Sequence, residues 1–157
     1  MTVASADYVE SFCSAAEMVL SQLLGDSPVR GDLVDLTTPV FPLQQVNIGV
    51  GITGEVRGQV NFGFDRSTGL AIAGAMMYEE IADFSEMALS ALCELSNMIS
   101  GNATIGISAA GIKCDITPPT ILMGASVRAS WFGMRSVAVP LQLACGVVHV
   151  TVGIRID

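Results

Sequence analysis

The sequence predicts an α+β fold, an antiparallel sheet of long hairpins with about three helices packed on one face and an internal pseudo-duplication. Three observations predict it. Apolar residues alternate with polar or small ones in residues 46–52, 56–64 and 137–154, the period of half-buried antiparallel strands. Three other segments carry apolar residues at steps of three and four, the period of amphipathic helices. A helix followed by a long hairpin occurs in residues 6–65 and again in residues 86–154, which gives a faint repeat. The length of 157 residues suits one domain spanning 1–157.

The elements follow in order. Residues 6–24 read as a helix from Tyr8, Phe12, Ala15, Ala16, Val19 and Leu23; Asp7 suits its dipole and Gly25 its stop. Residues 26–42 hold three prolines and a glycine, a connection with a short strand around 33–36. Val46, Ile48, Val50 and Ile52 share one strand face against Asn47, Gly49 and Gly51. Thr53 and Gly54 mark a turn. Val56, Val60, Phe62 and Phe64 share the next face against Arg57, Gln59 and Asn61, so this hairpin is expected to bury one side. Residues 67–78 form a second helix. Ser85 precedes Glu86 and a third helix over about 87–104, with its apolar stripe at Leu89, Leu92, Leu95 (or Ala88), Ile99 and Ala103. Pro118 and Pro119 forbid a helix in 114–120, which reads as a turn or extended loop. Strands then come from the alternations at Val127, Ala129 and Trp131, at Val137, Val139, Leu141 and Leu143, and at Val148, Val150, Val152 and Ile154. Gly133 and Met134 turn the chain between the first two.

Composition excludes several classes of function. Hydrophobic residues make up 51% and charged ones 14%, with a mean hydropathy of +0.59, so the chain has ample material for a core. The net charge of −8 opposes both phosphate backbones and anionic membrane surfaces. No nucleic acid and no membrane is therefore expected as a partner. The long uncharged stretch 136–154 contains Pro140, Gln142, Gly146, His149 and Thr151 and alternates, which suits strands rather than a spanning helix. Asp7 and Glu10 and the lack of a basic start do not fit a secretory signal, so a cytoplasmic location is expected. The four cysteines, Cys13, Cys93, Cys114 and Cys145, form no CxxC and stand beside one histidine. They read as reduced thiols, and no metal is expected.

The usual catalytic sets are also missing. No GxSxG elbow, GxGxxG or GK[ST] run occurs; His149 reads as a polar-face strand residue, and Glu79, Glu80, Asp83 and Glu86 as a solvated loop. The third helix holds the exception. Ser90, Glu94, Asn97 and Gly101 are spaced four, three and four, so they lie on one narrow stripe facing away from Leu92, Leu95 and Ile99. A polar stripe opposite the core is what any surface helix has. Yet Asn is a poor residue for a helix interior, and Gly costs about 1 kcal/mol there relative to Ala. The stripe offers a carboxamide and a carboxylate on a surface cleared of bulk, suited to docking another protein.

Residues 88–103 (ALSALCELSNMISGNA) resemble the signature helix of the CheC/CheX family of chemotaxis phosphatases, a Glu-x-x-Asn followed four positions later by Gly or a small residue. Further segments match in order: the hairpin around 48–60, Ala75, Met76 and Met77 at the end of the second helix, and residues 115–120 after the signature helix. The likeness covers about residues 6–154. Only Glu94 and Asn97 complete a signature. In the first helix Glu17 stands where Glu94 does, but Leu20 stands where Asn97 does, so the chain is similar to the one-site CheX type.

The resemblance implies a phosphatase for the phosphoaspartate of a CheY-type response-regulator receiver domain in two-component chemotaxis signalling. It implies Asn97 and Glu94 as the catalytic pair, Ser90 and Gly101 as partner-binding positions, and a homodimer. It implies no cofactor of the chain's own, with Mg²⁺ expected in the partner receiver domain. The chemistry agrees, since phosphoryl transfer to water needs positioning and charge neutralisation more than a protein nucleophile. The alternative is a non-enzymatic binding or scaffold module of the same fold, interacting with a receiver domain or a flagellar-switch component.

Overall fold

The computed structural model describes residues 3–155. Helix α1 (Val3–Leu24) ends at Gly25, whose positive φ of 77° and N–H to the Ser21 carbonyl (2.9 Å) close it. The short strands β1 (Val29–Arg30), β2 (Val34–Leu36) and β3 (Phe41–Pro42) follow. Then comes the hairpin β4 (Val46–Gly54) and β5 (Gly58–Phe64). Helices α2 (Arg66–Met77) and α3 (Glu86–Ala109) lead to β6 (Cys114–Ile116), β7 (Thr120–Met123), β8 (Arg128–Ala129), and the long pair β9 (Met134–Leu143) and β10 (Gly146–Arg155).

The main sheet runs β1-β9-β10-β5-β4-β6, with β2 also on β9 and β7 also on β4; all these pairings are antiparallel. Register turns the alternating sequence into straight rows. Val139, Val150, Phe62 and Ile48 are consecutive cross-strand partners, and so are Val137, Val152, Val60 and Val50. All eight are buried. The helices cover these rows, and Phe12, Leu20, Ile72, Leu92, Leu95 and Ile99 fill the space between. Fully burying one such side chain contributes about 1.5–3 kcal/mol, so this layer holds the helices in place.

The opposite face departs from the expected open side. Asn47 is 0% exposed and Asn61 4%. The Asn47 carboxamide is saturated: Nδ2 donates to the carbonyls of Gln44 (2.7 Å) and Leu122 (3.2 Å), while Oδ1 accepts from the Gln44 N–H (3.0 Å) and Asn61 Nδ2 (3.1 Å). Strands β3 and β8 pair as a small second sheet, within which Phe41 is buried edge-on to Trp131 at 5.4 Å. Trp131 lies directly on β10, where a Cβ on Gly153 would come within 2.5 Å of its ring.

Other boundaries moved for local reasons. The hairpin turns over residues 55–57 rather than at Thr53 and Gly54, so Val56 lies in the turn and not on β5, and Gly54 takes φ +112°. The expected strand over 127–131 shortens to β8 because Trp131 is turned inward onto Gly153. The proline pair does not leave a bare loop but divides two edge strands, β6 and β7, that both pair with β4. Burial pushes the imidazole of His149, half-buried on β10, below its ordinary value of 6.5 against the opposing pull of Asp65. Cys13 is buried, the other three cysteines are half-buried, and all four are free thiols.

Asn47→Ala removes the partner of the Asn61 amide and of three backbone groups, the Gln44 N–H and the Gln44 and Leu122 carbonyls, in a covered layer. Urea unfolding is expected to show a loss of about 1–3 kcal/mol, and an unchanged midpoint contradicts the closed second face.

Candidate functional site

The site begins with how α3 is anchored. Ser85 caps it, its Oγ accepting from the Ala88 N–H at 3.1 Å, and Glu86 lies in the first turn where a negative charge suits the dipole. Ala88, Leu92, Leu95, Ile99, Ala103 and Ile107 are buried; Ala88, not the half-buried Leu89, completes the inner stripe. At about 100° per residue this contact fixes the helix rotation. It leaves Ser90, Glu94, Asn97 and Gly101 all exposed on one outward line, as their spacing predicts.

None of these side chains is used inside the chain. Among the described residues, neither Glu94 nor Asn97 has a hydrogen-bond or ion-pair partner. Asn102 makes the contrast: its Nδ2 donates back to the Met98 carbonyl at 2.8 Å, the usual local use of an Asn in a helix. A Cβ on Gly101 would meet nothing within 4 Å, so no internal packing requires glycine there. The residues that could act are thus a free carboxamide with two donors and an acceptor, and a free carboxylate one helical turn earlier. Such a pair can hold a water and a phosphoryl oxygen on one side and a cation on the other.

The corresponding place in α1 is closed. Arg30 reaches from β1 to donate Nε to Glu17 Oε1 (3.0 Å) and Nη1 to Glu10 Oε2 (2.6 Å), and its Nη2 also bonds Glu17. The hydrogen bond from Arg30 holds the Glu10 carboxyl below the usual range, with Ser14 adding to it. Leu20 is 0% exposed and belongs to the main core. Of the two equivalent places, α3 alone presents an unoccupied pair.

The structure adds neighbours that the sequence pattern did not flag as functional. Met76, Met77 and Glu79 at the end of α2 border a depression shared with Met87, Ala91 and Glu94 of α3. Their signal was present as three methionines beside the stripe, but methionine at helical spacing reads as core. Glu79, Glu80, Asp83 and Glu86 are solvent-exposed, with Asp83 paired to Arg66 at 2.8 Å. Among the described residues no group of His, Cys, Asp and Glu is arranged to hold a metal ion, and no helix is long and apolar enough to cross a membrane.

Known proteins share this fold. The model of the family "Chemotaxis phosphatase CheX" matches residues 46–142. The CheY-P phosphatase CheX of Thermotoga maritima is 31% identical over 127 residues, 80% of this chain and 81% of that protein. The crystal structure of a chemotaxis protein CheX from Desulfovibrio desulfuricans is similar at a TM-score of 0.85 and 27% identity, covering 94% of this chain and 99% of that one. The CheX-CheY-BeF3-Mg²⁺ complex from Borrelia burgdorferi contains a chain similar at a TM-score of 0.81 and 30% identity, covering 95% and 98%. The chain belongs to the CheX family.

Two stability measurements check the assignment of faces. Gly101→Ala is expected to stabilise by about 1 kcal/mol, roughly 2–4 °C in calorimetry for a chain of this size; a lowered melting temperature means that the glycine has an internal role. Leu20→Glu places a charge in the core and is expected to lower the melting temperature in calorimetry. Light scattering is expected to show no clean, folded smaller species for that variant; its appearance assigns Leu20 to an interface instead.

Proposed function

We propose that this CheX-family chain hydrolyses the phosphoaspartate of a CheY-type response-regulator receiver domain. The observation that carries the reading is the unoccupied Glu94 and Asn97 pair on an exposed helix stripe, beside a glycine that nothing inside the molecule requires. The likeness to a CheY-P phosphatase CheX favours hydrolysis over a non-enzymatic scaffold of the same fold.

The chemistry follows from what the pair can do. Asn97 Oδ1 accepts a hydrogen bond from a water while Nδ2 donates to a phosphoryl oxygen, which sets the water in line with phosphorus. The water oxygen bonds to phosphorus as the bond to the aspartyl oxygen breaks. The aspartate leaves as carboxylate, and the water's protons stay with inorganic phosphate. No general base is needed from Asn97, whose amide does not titrate near neutral pH. Glu94 makes a charge-assisted contact with the receiver's active-site lysine and so fixes the helix register on the partner. Mg²⁺ belongs to the receiver, where it neutralises the phosphoryl charge. Ser90 and Gly101 border the contact, Gly101 by leaving room for it.

The same reading makes the protein cytoplasmic and homodimeric. Exposed apolar side chains at the two sheet edges support the dimer, with Val29 and Val34 at one and Leu122 and Met123 at the other. Light scattering tests it.

Decay of purified phospho-receiver checks the catalytic assignment. Asn97→Ala is expected to lose about 10²–10⁴-fold of the acceleration with its melting temperature kept. Unchanged decay contradicts the role of Asn97. Glu94→Ala is expected to raise KM, as losing a desolvated charge contact costs about 2–5 kcal/mol; a fall in kcat alone contradicts docking. Glu17→Ala is expected to leave turnover unchanged, and a substantial loss with fold preserved means a second working site.

A further inference from the structure

The depression between the end of α2 and the first half of α3 has a volume of about 510 Å³ and a composition unusual for an exposed surface. Met76, Met77, Met87 and Ala91 give it an apolar floor and wall, and the carboxylates of Glu79 and Glu94 border it. Met87 is 69% exposed, and no Lys or Arg lines the depression. Between Met77 and Glu79 in the chain stands Tyr78, 95% exposed and at φ 58°, the left-handed conformation that a bulky residue enters at a cost. It occupies the C-cap of α2, where Gly or Asn is ordinarily favoured, and its N–H closes the helix on the Gly74 carbonyl. A tyrosine held there with its ring in solvent has no use inside the molecule.

We propose that this groove seats an apolar side chain of the receiver domain next to that domain's active-site lysine, and that the groove governs which receivers are served. The inference rests on the phosphatase reading. Glu94 connects the two, since it lines the groove and also belongs to the catalytic stripe. A receiver whose lysine meets Glu94 therefore places the neighbouring part of its surface over the methionines. The charges select the same occupant: an apolar residue flanked by a cation is drawn to a methionine floor between two carboxylates, and an acidic segment is repelled. Methionine is flexible and polarizable, so the groove accepts side chains of differing shape. Selection then falls on the presence of an apolar residue beside a basic one rather than on a single residue type.

The test uses the whole chain and a CheY-type receiver loaded with Mg²⁺ and beryllium fluoride, with affinity read by titration calorimetry and turnover by phospho-receiver decay. Met87→Asp is expected to weaken binding about tenfold or more and to raise KM with kcat unchanged; Met87→Leu is expected to restore most of the affinity. Tyr78→Gly is expected to raise the melting temperature and to weaken binding several-fold, a combination that a purely structural role does not produce. Phe132→Asp, at an exposed position between β8 and β9, is expected to bind as the unaltered chain does. If Met87→Asp and Tyr78→Gly bind and turn over normally while Asn97→Ala loses turnover, the groove is empty and the phosphatase reading stands alone. If Met87→Asp changes only the oligomeric state, the groove is a contact between copies and the proposal is overturned. If the unaltered chain neither binds nor dephosphorylates receivers, the phosphatase reading falls and the groove with it.

Discussion

The rotation of α3 about its own axis is the constraint on which the rest depends. Leu92, Leu95 and Ile99 are pinned against the aliphatic rows of the sheet, and Asn97 lies about 160° round the helix from Leu95 and Ile99, so only a near half-turn would exchange buried leucine for buried asparagine. Removing such a side chain from the core costs several kcal/mol, about 2–5 for a Leu or Ile truncated to Ala, while the exposed stripe has no internal bonds to set against it. Core packing therefore decides where the amide points, and the amide contributes nothing to the fold that holds it. Rigid elements position a site more closely than loops do, and here the helix and the four central strands behind it supply that rigidity.

The pseudo-duplicated architecture places a second helix in an equivalent position, and the two have been put to different uses. In α1 the carboxylate of Glu17 is held by Arg30, which Glu10 also binds, and Leu20 has turned the partner position over to the core. That arrangement fastens β1 to α1, where a surface ion pair alone would be worth little. In α3 the carboxylate is left free and the partner position remains an amide. One helix serves the fold, and the other presents its polar face outward.

Much of this was legible in the residues. Alternation at Val46, Ile48, Val50 and Ile52, and again along β9 and β10, placed the strands and their inner faces. The spacing of Ser90, Glu94, Asn97 and Gly101 placed the stripe, because a helix period maps directly onto a face. The covered second face was not legible. Asn47 and Asn61 look like solvent-facing polar residues, and only the approach of Gln44 and of Leu122 on β7 gives Asn47 its buried partners. Edge strands β6 and β7 were hidden by Pro118 and Pro119, which rule out a helix and say nothing about pairing on either side. The methionine groove was missed for a related reason: local spacing cannot tell a residue that faces the core from one left at the rim between two helices.

In the proposed reaction Asn97 holds a water in line with phosphorus and no group of this chain becomes phosphorylated. The most direct measurement is a single turnover of phospho-receiver with the chain in excess, run in water labelled with heavy oxygen. Rapid decay is expected, with the label entering inorganic phosphate, none in the receiver's aspartate, and no phosphate appearing on this chain at any time. Label in the aspartate carboxylate, or a phosphorylated form of the chain during the turnover, would contradict it.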